Sequence, residues 1–308
     1  MMEPIIEIRN LSKSFGAIPA LRHISLVIWP GTLTVIAGPD GSGKSTLLKC
    51  ALGLVGSDAG EIIFKGQSVG KDFRKLRALS AYMSERFSLY PDLTVEENLD
   101  FYAAIQGVPK AQQKEMKGQL LARTGLEPFR RRLASALSGG LKQKLALAAA
   151  LVSSPEILWL DEPTTGIDPL SRLEFFEIIE SFKKEGRAII LTTPYLDEAE
   201  RGDEVIFFQA GKIIKKGSIA EMKSQFPCRV FRLEPEGNIF DAYQDLARLS
   251  GTANIFIRGR ALKIFMEKGE EFKWPERFAS LQEEKPRLED IYFYYEKLSH
   301  EEPSPKKF

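Results

Sequence analysis

The feature that most restricts what this chain can fold into is one unbroken segment, LTVIAGPDGSGKSTLLKCALGL, Leu33 to Leu54. A buried-strand pattern stops at a glycine-rich turn, and the turn runs straight into a helical pattern. The turn itself, Gly38, Pro39, Asp40, Gly41, Ser42, Gly43, Lys44, Ser45 and Thr46, fits G-x-x-x-x-G-K-[ST] in the strand-to-helix position that this motif requires. Gly41 and Gly43 let the backbone curl so that its N–H groups point at phosphate oxygens, at the positive end of the helix dipole. Lys44 adds a point charge for the β and γ phosphates, Ser45 offers a hydroxyl to Mg²⁺, and Thr46 supports the α phosphate. A glycine-rich turn with a chance lysine would explain neither the strand before it nor the helix after it.

A second carboxylate-bearing element is ILWLDEP, Ile157 to Pro163. Its apolar run reads as a buried strand, with Asp161 at the end that would sit beside the phosphate turn and hold Mg²⁺ through water or Ser45. Glu162, one residue on, is placed to orient and deprotonate an attacking water. Such a strand alone is commonplace and usually structural; behind a phosphate turn it completes a nucleotide site. Around these two elements IIEIRN, SLVIW and EIIFKG read as short β runs. TVEENLDFYAAIQG opens a helical stretch with Thr94 and Glu97 at capping-box spacing. SRLEFFEIIESFKKEG reads as an amphipathic helix and RAIILTT as another buried strand. The alternation predicts a mostly parallel sheet with helices on both faces and a helical insert over about 90–153. After Pro227, CRVFRLEPE and NIFIRGRALKIFME read as strands around DAYQDLARL, and PRLEDIYFYYEKL as a closing helix. The expected organisation is a nucleotide-binding domain over 1–225 and a small α+β accessory domain with a charged tail over 226–308.

Composition narrows the partners. With 308 residues the chain is long enough for one large or two unequal domains, and its formal net charge of +1 does not suggest nucleic acid binding. Cys50 and Cys228 have neither metal spacing nor the density of a secreted scaffold, which predicts a reducing cytosol. The start, MMEPIIEIRN, argues against a signal peptide. The most apolar run, LALAAALV, is far below the about 20 residues a membrane helix needs. Any membrane span is expected from another chain.

LSGGLKQK, Leu137 to Lys144, and TTGIDP, Thr164 to Pro169, stand with the two motifs above in the order found in the ATP-binding cassette superfamily, which this chain resembles from about Ile5 to Lys223. The wording SLYPDLTVEENL and YLDEAE is similar to that of ATPase subunits of bacterial multidrug-type exporters. The resemblance implies an α/β fold: a P-loop NTPase core with an antiparallel β subdomain and a helical insert, plus the small C-terminal α+β appendage. It implies ATP and Mg²⁺ as ligands, with Ser45, Asp161 and Glu85 toward the metal and Glu162 catalytic. It also implies a head-to-tail dimer in which Ser138, Gly139 and Gly140 meet the partner's γ-phosphate and Asp168 crosses the interface. Phe15 matches the aromatic that stacks on adenine, although a core phenylalanine in a β layer fits the same position. Separate integral-membrane permeases at the inner face of the cell membrane are the remaining implied partners.

Two positions depart from the family's pattern. Glu85 stands where a glutamine is usual, and no glutamine lies between Gln67 and Gln106. Pro194 stands where a histidine holds the γ-phosphate, and the two histidines, His23 and His300, are far away in sequence. Glu85 keeps an oxygen for Mg²⁺ but adds negative charge beside a triphosphate. Pro194 removes a donor where charge develops, which predicts hydrolysis lowered by about a hundred-fold or more. The expectation is an exporter cassette with a slow site, paired with a different, complete cassette in preference to a second copy. The alternatives are a nucleotide-gated regulatory cassette with negligible hydrolysis, and a soluble cassette acting on ribosomes or DNA. The C-terminal domain's mixed polarity fits dimer stabilisation, regulation or substrate-linked contact equally.

Overall fold

The computed structural model describes residues 3–85, 89–250, 254–269, 278 and 281–301. It divides into two compact units, 1–216 and 217–308. The first opens with β1 (Ile6–Phe15) and β2 (Ile18–Ile28), antiparallel and joined through Gly16 and Ala17. Gly16 has φ +59°, the left-handed backbone that a two-residue hairpin turn demands. Strand β3 (Leu33–Ala37) and helix α1 (Lys44–Ala51) follow, then β4 (Ala59–Phe64) and the short β5 (Gln67–Ser68), which complete an antiparallel sheet in the order β2-β1-β4-β5.

The second sheet carries the site. After α2 (Arg74–Ala78) comes β6 (Ser80–Met83), then a helical insert of α3 (Val95–Ile105), α4 (Lys110–Arg123) and α5 (Gly139–Leu151). The chain returns through β7 (Ile157–Asp161), α6 (Pro169–Lys183), β8 (Ala188–Thr193), α7 (Leu196–Ala199), β9 (Glu204–Gln209) and β10 (Lys212–Gly217). The sheet order is β10-β9-β3-β8-β7-β6, with parallel pairing from β9 across to β6. Strands β3, β7 and β8 are buried at every residue, as parallel strands covered on both faces must be. One core runs from Ile6, Ile8 and Leu11 through Leu47, Leu48 and Ala51 to Trp159 and Ile190, so α1 is gripped between the two sheets. This grip fixes the helix whose first turn holds Lys44 and Ser45. The parallel order brings the C-terminal ends of β3, β7 and β8 side by side, where the phosphate turn, Asp161 and Thr193 emerge.

The second unit begins with α8 (Ile219–Ser224), capped by a Ser218–Glu221 box. β11 (Cys228–Leu233), α9 (Ile239–Ser250), β12 (Asn254–Arg258), β13 (Ala261–Glu267), β14 (Gln282–Glu284) and α10 (Leu288–Glu301) follow. The antiparallel order β12-β13-β11-β14 is that of a split βαβ arrangement. NIFIRGRALKIFME is a hairpin, turned at Gly259 with φ +58°. Its core is built on Phe231, Leu233, Leu246, Leu262 and Ile264.

Candidate nucleotide site

The turn between β3 and α1 is shaped by glycine where a side chain cannot fit. A Cβ on Gly38 would lie 2.0 Å from the Phe208 carbonyl oxygen. One on Gly43, which sits at φ +107° as the N-cap of α1, would lie 2.4 Å from the Ala20 carbonyl oxygen. No side chain caps α1, so its first amides point into the turn without a side-chain acceptor. Ser42 Oγ is buried without a hydrogen-bond partner, an orphaned donor inside the same cradle. Both features suit an anion bound through backbone and hydroxyl groups. Lys44 is buried and its Nζ donates to the carbonyls of Gly38 at 2.8 Å and Pro39 at 3.0 Å. The same ammonium lies 3.1 Å from Glu162 Oε1.

Asp161 ends β7 inside a ring of hydroxyls. Its Oδ1 accepts from Ser45 Oγ at 2.9 Å and from Thr192 Oγ1 at 2.8 Å, and its Oδ2 accepts from Tyr82 OH at 2.9 Å. The β7–β8 register sets Asp161 beside Thr192, and α1 brings Ser45 to the same carboxylate. Burial pushes the Tyr82 phenol up, and the charges of Asp161 and Glu85 push it further, so it stays a donor. Ser45 and Asp161 supply hard oxygens about one ion apart, which fits Mg²⁺ held by one carboxylate, a hydroxyl and substrate phosphates. Among the described residues no group of three or more His, Cys, Asp or Glu converges, so a protein-only metal cage has no counterpart here.

Glu162 has φ +48°, a left-handed backbone that costs a non-glycine residue about 1–2 kcal/mol. β8 holds it there, because Glu162 N donates to the Thr192 carbonyl at 3.1 Å and to Thr192 Oγ1 at 3.0 Å. The turn aims the carboxylate back over the phosphate cradle. A cavity of about 430 Å³ opens at that point, walled by the turn from Gly41 to Thr46, Glu162, Arg22, Ile18 and Phe15. Phe15 is 52% exposed on this wall, so it is not a core phenylalanine.

The other sequence-derived positions fall into three places. Pro194 is half-buried directly after β8, next to Thr193, whose carbonyl accepts from Gly38 N at 3.2 Å. Glu85 is exposed and lines a separate cavity of about 320 Å³ with Leu89, Pro91, Ser135 and Lys142. Ser138 caps α5 by accepting from Leu141 N at 3.4 Å, and both it and Gly139 are exposed. Among the described residues none of Ser138, Gly139, Gly140 and Asp168 lines the phosphate cavity. Gly140 has a reason within its own chain: a Cβ would lie 2.1 Å from Ser171 Oγ. Gly139 has none, since a Cβ there would meet only ordinary contacts at 3.8 Å and beyond. Exposed Asp168 caps α6, accepting from Ser171 N at 2.9 Å and Ser171 Oγ at 2.6 Å. Sequence reading missed Tyr82, Thr192, Arg22 and Ile18. No local sequence signal marks any of the four; Thr192 comes to Asp161 only through the β7–β8 register.

These motifs can be set against known proteins. The model of the ABC transporter family matches residues 21–165. The Escherichia coli K12 protein described as probable multidrug ABC transporter ATP-binding protein YbhF is 36% identical over 272 residues, 87% of this chain and 47% of that protein. The glutamine transport ATP-binding protein GlnQ of the same organism is 35% identical over 219 residues, 70% of this chain and 91% of GlnQ. This chain belongs to the ABC transporter family. The cassette spans about half the length of the first curated relatives it matches. Among solved structures, the dimeric post-hydrolysis state of the ATP-binding cassette MJ0796 bound to ADP and Pi superposes with a TM-score of 0.62 at 25% identity, over 70% of this chain and 98% of that one. The α/β fold with its parallel sheet is that of ABC ATPase cassettes. Among the described residues no helix of the cassette is long and apolar enough to cross a membrane.

Proposed function

We propose that this chain is the ATP-binding subunit of an exporter, taking MgATP between its phosphate turn and the Ser138–Gly140 face of a second cassette, with slow turnover at its own turn. The observation that carries this reading is the convergence of Lys44, Ser45, Asp161 and Glu162 on one cradle in which Gly38 and Gly43 cannot be replaced without backbone collision. Lys44 would exchange its two carbonyl acceptors for the β and γ phosphates. Mg²⁺ held by Ser45 and Asp161 would neutralise charge on the phosphate oxygens. Glu162 would accept the proton of the attacking water, and the arc formed by Tyr82 and Thr192 would keep Asp161 in its orientation. Phe15 and Ile18 would offer the adenine an apolar wall.

Partner contact is supported by exposure. Ser138, Gly139 and Asp168 face outward on neighbouring segments, with Asp168 Oδ2 3.8 Å from where a Gly140 Cβ would stand. Gly139 has no contact within its own chain that requires glycine, which suits close approach by a second molecule. Pro194 favours a heterodimer, because pairing with a complete cassette leaves one competent site whereas two copies of this chain leave none. It equally supports the second reading, a nucleotide-gated cassette with negligible hydrolysis. Export rests on the wording of SLYPDLTVEENL and on the multidrug relative; the glutamine relative shows that cassettes of this type are not confined to one cargo. Permease partners and a place at the inner face of the cell membrane follow from the same proposal.

The test is equilibrium binding of a fluorescent ATP analogue to the purified chain. Micromolar binding that weakens at least tenfold in Lys44→Ala is expected, and undiminished binding by that variant would overturn the reading. Single-turnover assays at saturating MgATP then separate slow hydrolysis from none.

A further inference from the structure

Behind the nucleotide site lies a buried carboxylate that neither the phosphate cradle nor the partner face uses. Glu198, on α7, is 1% exposed. Its Oε1 accepts from Thr164 Oγ1 at 2.6 Å and its Oε2 accepts from Thr193 Oγ1 at 2.5 Å. Arg172 Nε, on α6, lies 3.1 Å from Oε1 as an ion pair without hydrogen-bond alignment. The Arg172 guanidinium also covers the Tyr195 ring at 4.7 Å, and Tyr195 N donates to Thr193 Oγ1 at 3.0 Å. Burial pushes the Glu198 carboxyl up, against the pull of Thr164, Thr193 and Arg172.

The three groups that hold this carboxylate come from three segments with different outlooks. Thr193 ends β8; its carbonyl meets Gly38 N of the phosphate turn and Pro194 follows it. Thr164 stands in the loop between Glu162 and Asp168. Arg172 lies one turn into α6, and its amide donates to the Asp168 carbonyl at 3.0 Å. A buried carboxylate that loses one partner is left with an uncompensated charge, so the segments are penalised for moving apart and favoured to move together. Coupling through these contacts requires that they shift as a unit or break.

We infer that Glu198 is a positioning residue that ties the Pro194 end of β8 to the Asp168 loop, so that occupancy of this chain's own phosphate turn resets the loop that faces the partner. The inference rests on the reading of Asp168 as partner-facing for its biological meaning, but the coupling itself lies within one chain.

The experiment is hydrogen exchange of the full-length chain with and without MgATP, at a concentration where sedimentation shows a monomer. Dimer formation is followed separately by sedimentation, so failure of the partner reading is distinct from failure of the coupling. In the wild type, MgATP is expected to slow exchange both at the turn, residues 38–46, and at the loop, residues 163–171. In Glu198→Gln the response of the turn is expected to stay within twofold while that of the loop falls at least fivefold. Thr164→Val, which removes a single hydroxyl from the network, is expected to do the same and serves if Glu198→Gln does not fold. Asp197→Ala, which removes only the exposed partner of Arg172, is expected to leave both responses intact. A loop response retained in both Glu198→Gln and Thr164→Val, a wild type with no loop response, or joint loss of both responses would each overturn the inference.

Discussion

Pro194 is a single side-chain departure from the pattern this sequence resembles. The cradle, Asp161 with its three hydroxyl donors and Glu162 on its left-handed backbone are assembled, and Pro194 follows Thr193, whose carbonyl meets the cradle at Gly38 N. Restoring an imidazole with Pro194→His is expected to raise single-turnover hydrolysis by roughly a hundred-fold while ATP affinity changes little, because a preorganised donor acts where charge develops. Rapid-quench measurement at saturating MgATP reads this directly; an unchanged rate would mean that another group already fills the role. Tyr82 gives a second case. Tyr82→Phe is expected to lower stability by about 1 kcal/mol, the worth of one hydrogen bond, and to weaken the Mg²⁺ dependence of ATP binding. Urea unfolding and magnesium titrations of nucleotide binding check the two halves.

The helical insert is held by local rules and by one charged cluster. Thr94 and Glu97 cap α3 reciprocally, so Thr94→Ala is expected to cost about 1 kcal/mol in denaturant unfolding. In the same first turn Glu96 takes both arms of Arg130, at 2.7 and 2.6 Å, and Lys117 at 3.0 Å. Arg130 first, with Lys117 assisting, lowers the Glu96 carboxyl from 4.5 to about 2. A lowered folded pKa gives stability that is complete above the unfolded value and is lost as pH falls through the folded one. The insert is therefore expected to weaken between about pH 4.5 and 2, and Glu96→Gln is expected to remove that acid dependence in melts across this range. The elements themselves were legible in sequence where a local pattern determines them: the turn from Gly38 to Thr46, the capping box, and the unbroken apolar runs of β3, β7 and β8. What was not legible is pairing across the sheet. Tyr82 reaches Asp161 because β6 lies beside β7, and Glu198 meets Thr164 because α7 folds back over the loop after Glu162. Neither neighbour can be deduced from spacing along the chain. Glu85, which the resemblance assigns to the metal, lines a groove with Ser135 and Lys142 while its charge still acts on Tyr82, the donor to Asp161.

At the scale of the whole molecule, two compact units divide the work. The unit over 1–216 contains every residue of the proposed site and its own core, so removing 217–308 is expected to leave ATP binding within about threefold of the full chain, measured by the same fluorescent analogue. A much larger loss would show that the split βαβ unit shapes the nucleotide site. The exposed Ser138–Gly139 face has a further consequence, since it is built on α5 and shares no side chain with the Lys44 cradle. A Lys44→Ala copy would hold its own nucleotide at least tenfold more weakly yet keep an undamaged surface for someone else's. On the proposed pairing, such a copy produced in excess inside a cell would compete with the unaltered chain for the same partner cassette, and any fall in output with its abundance would measure what the slow site contributes.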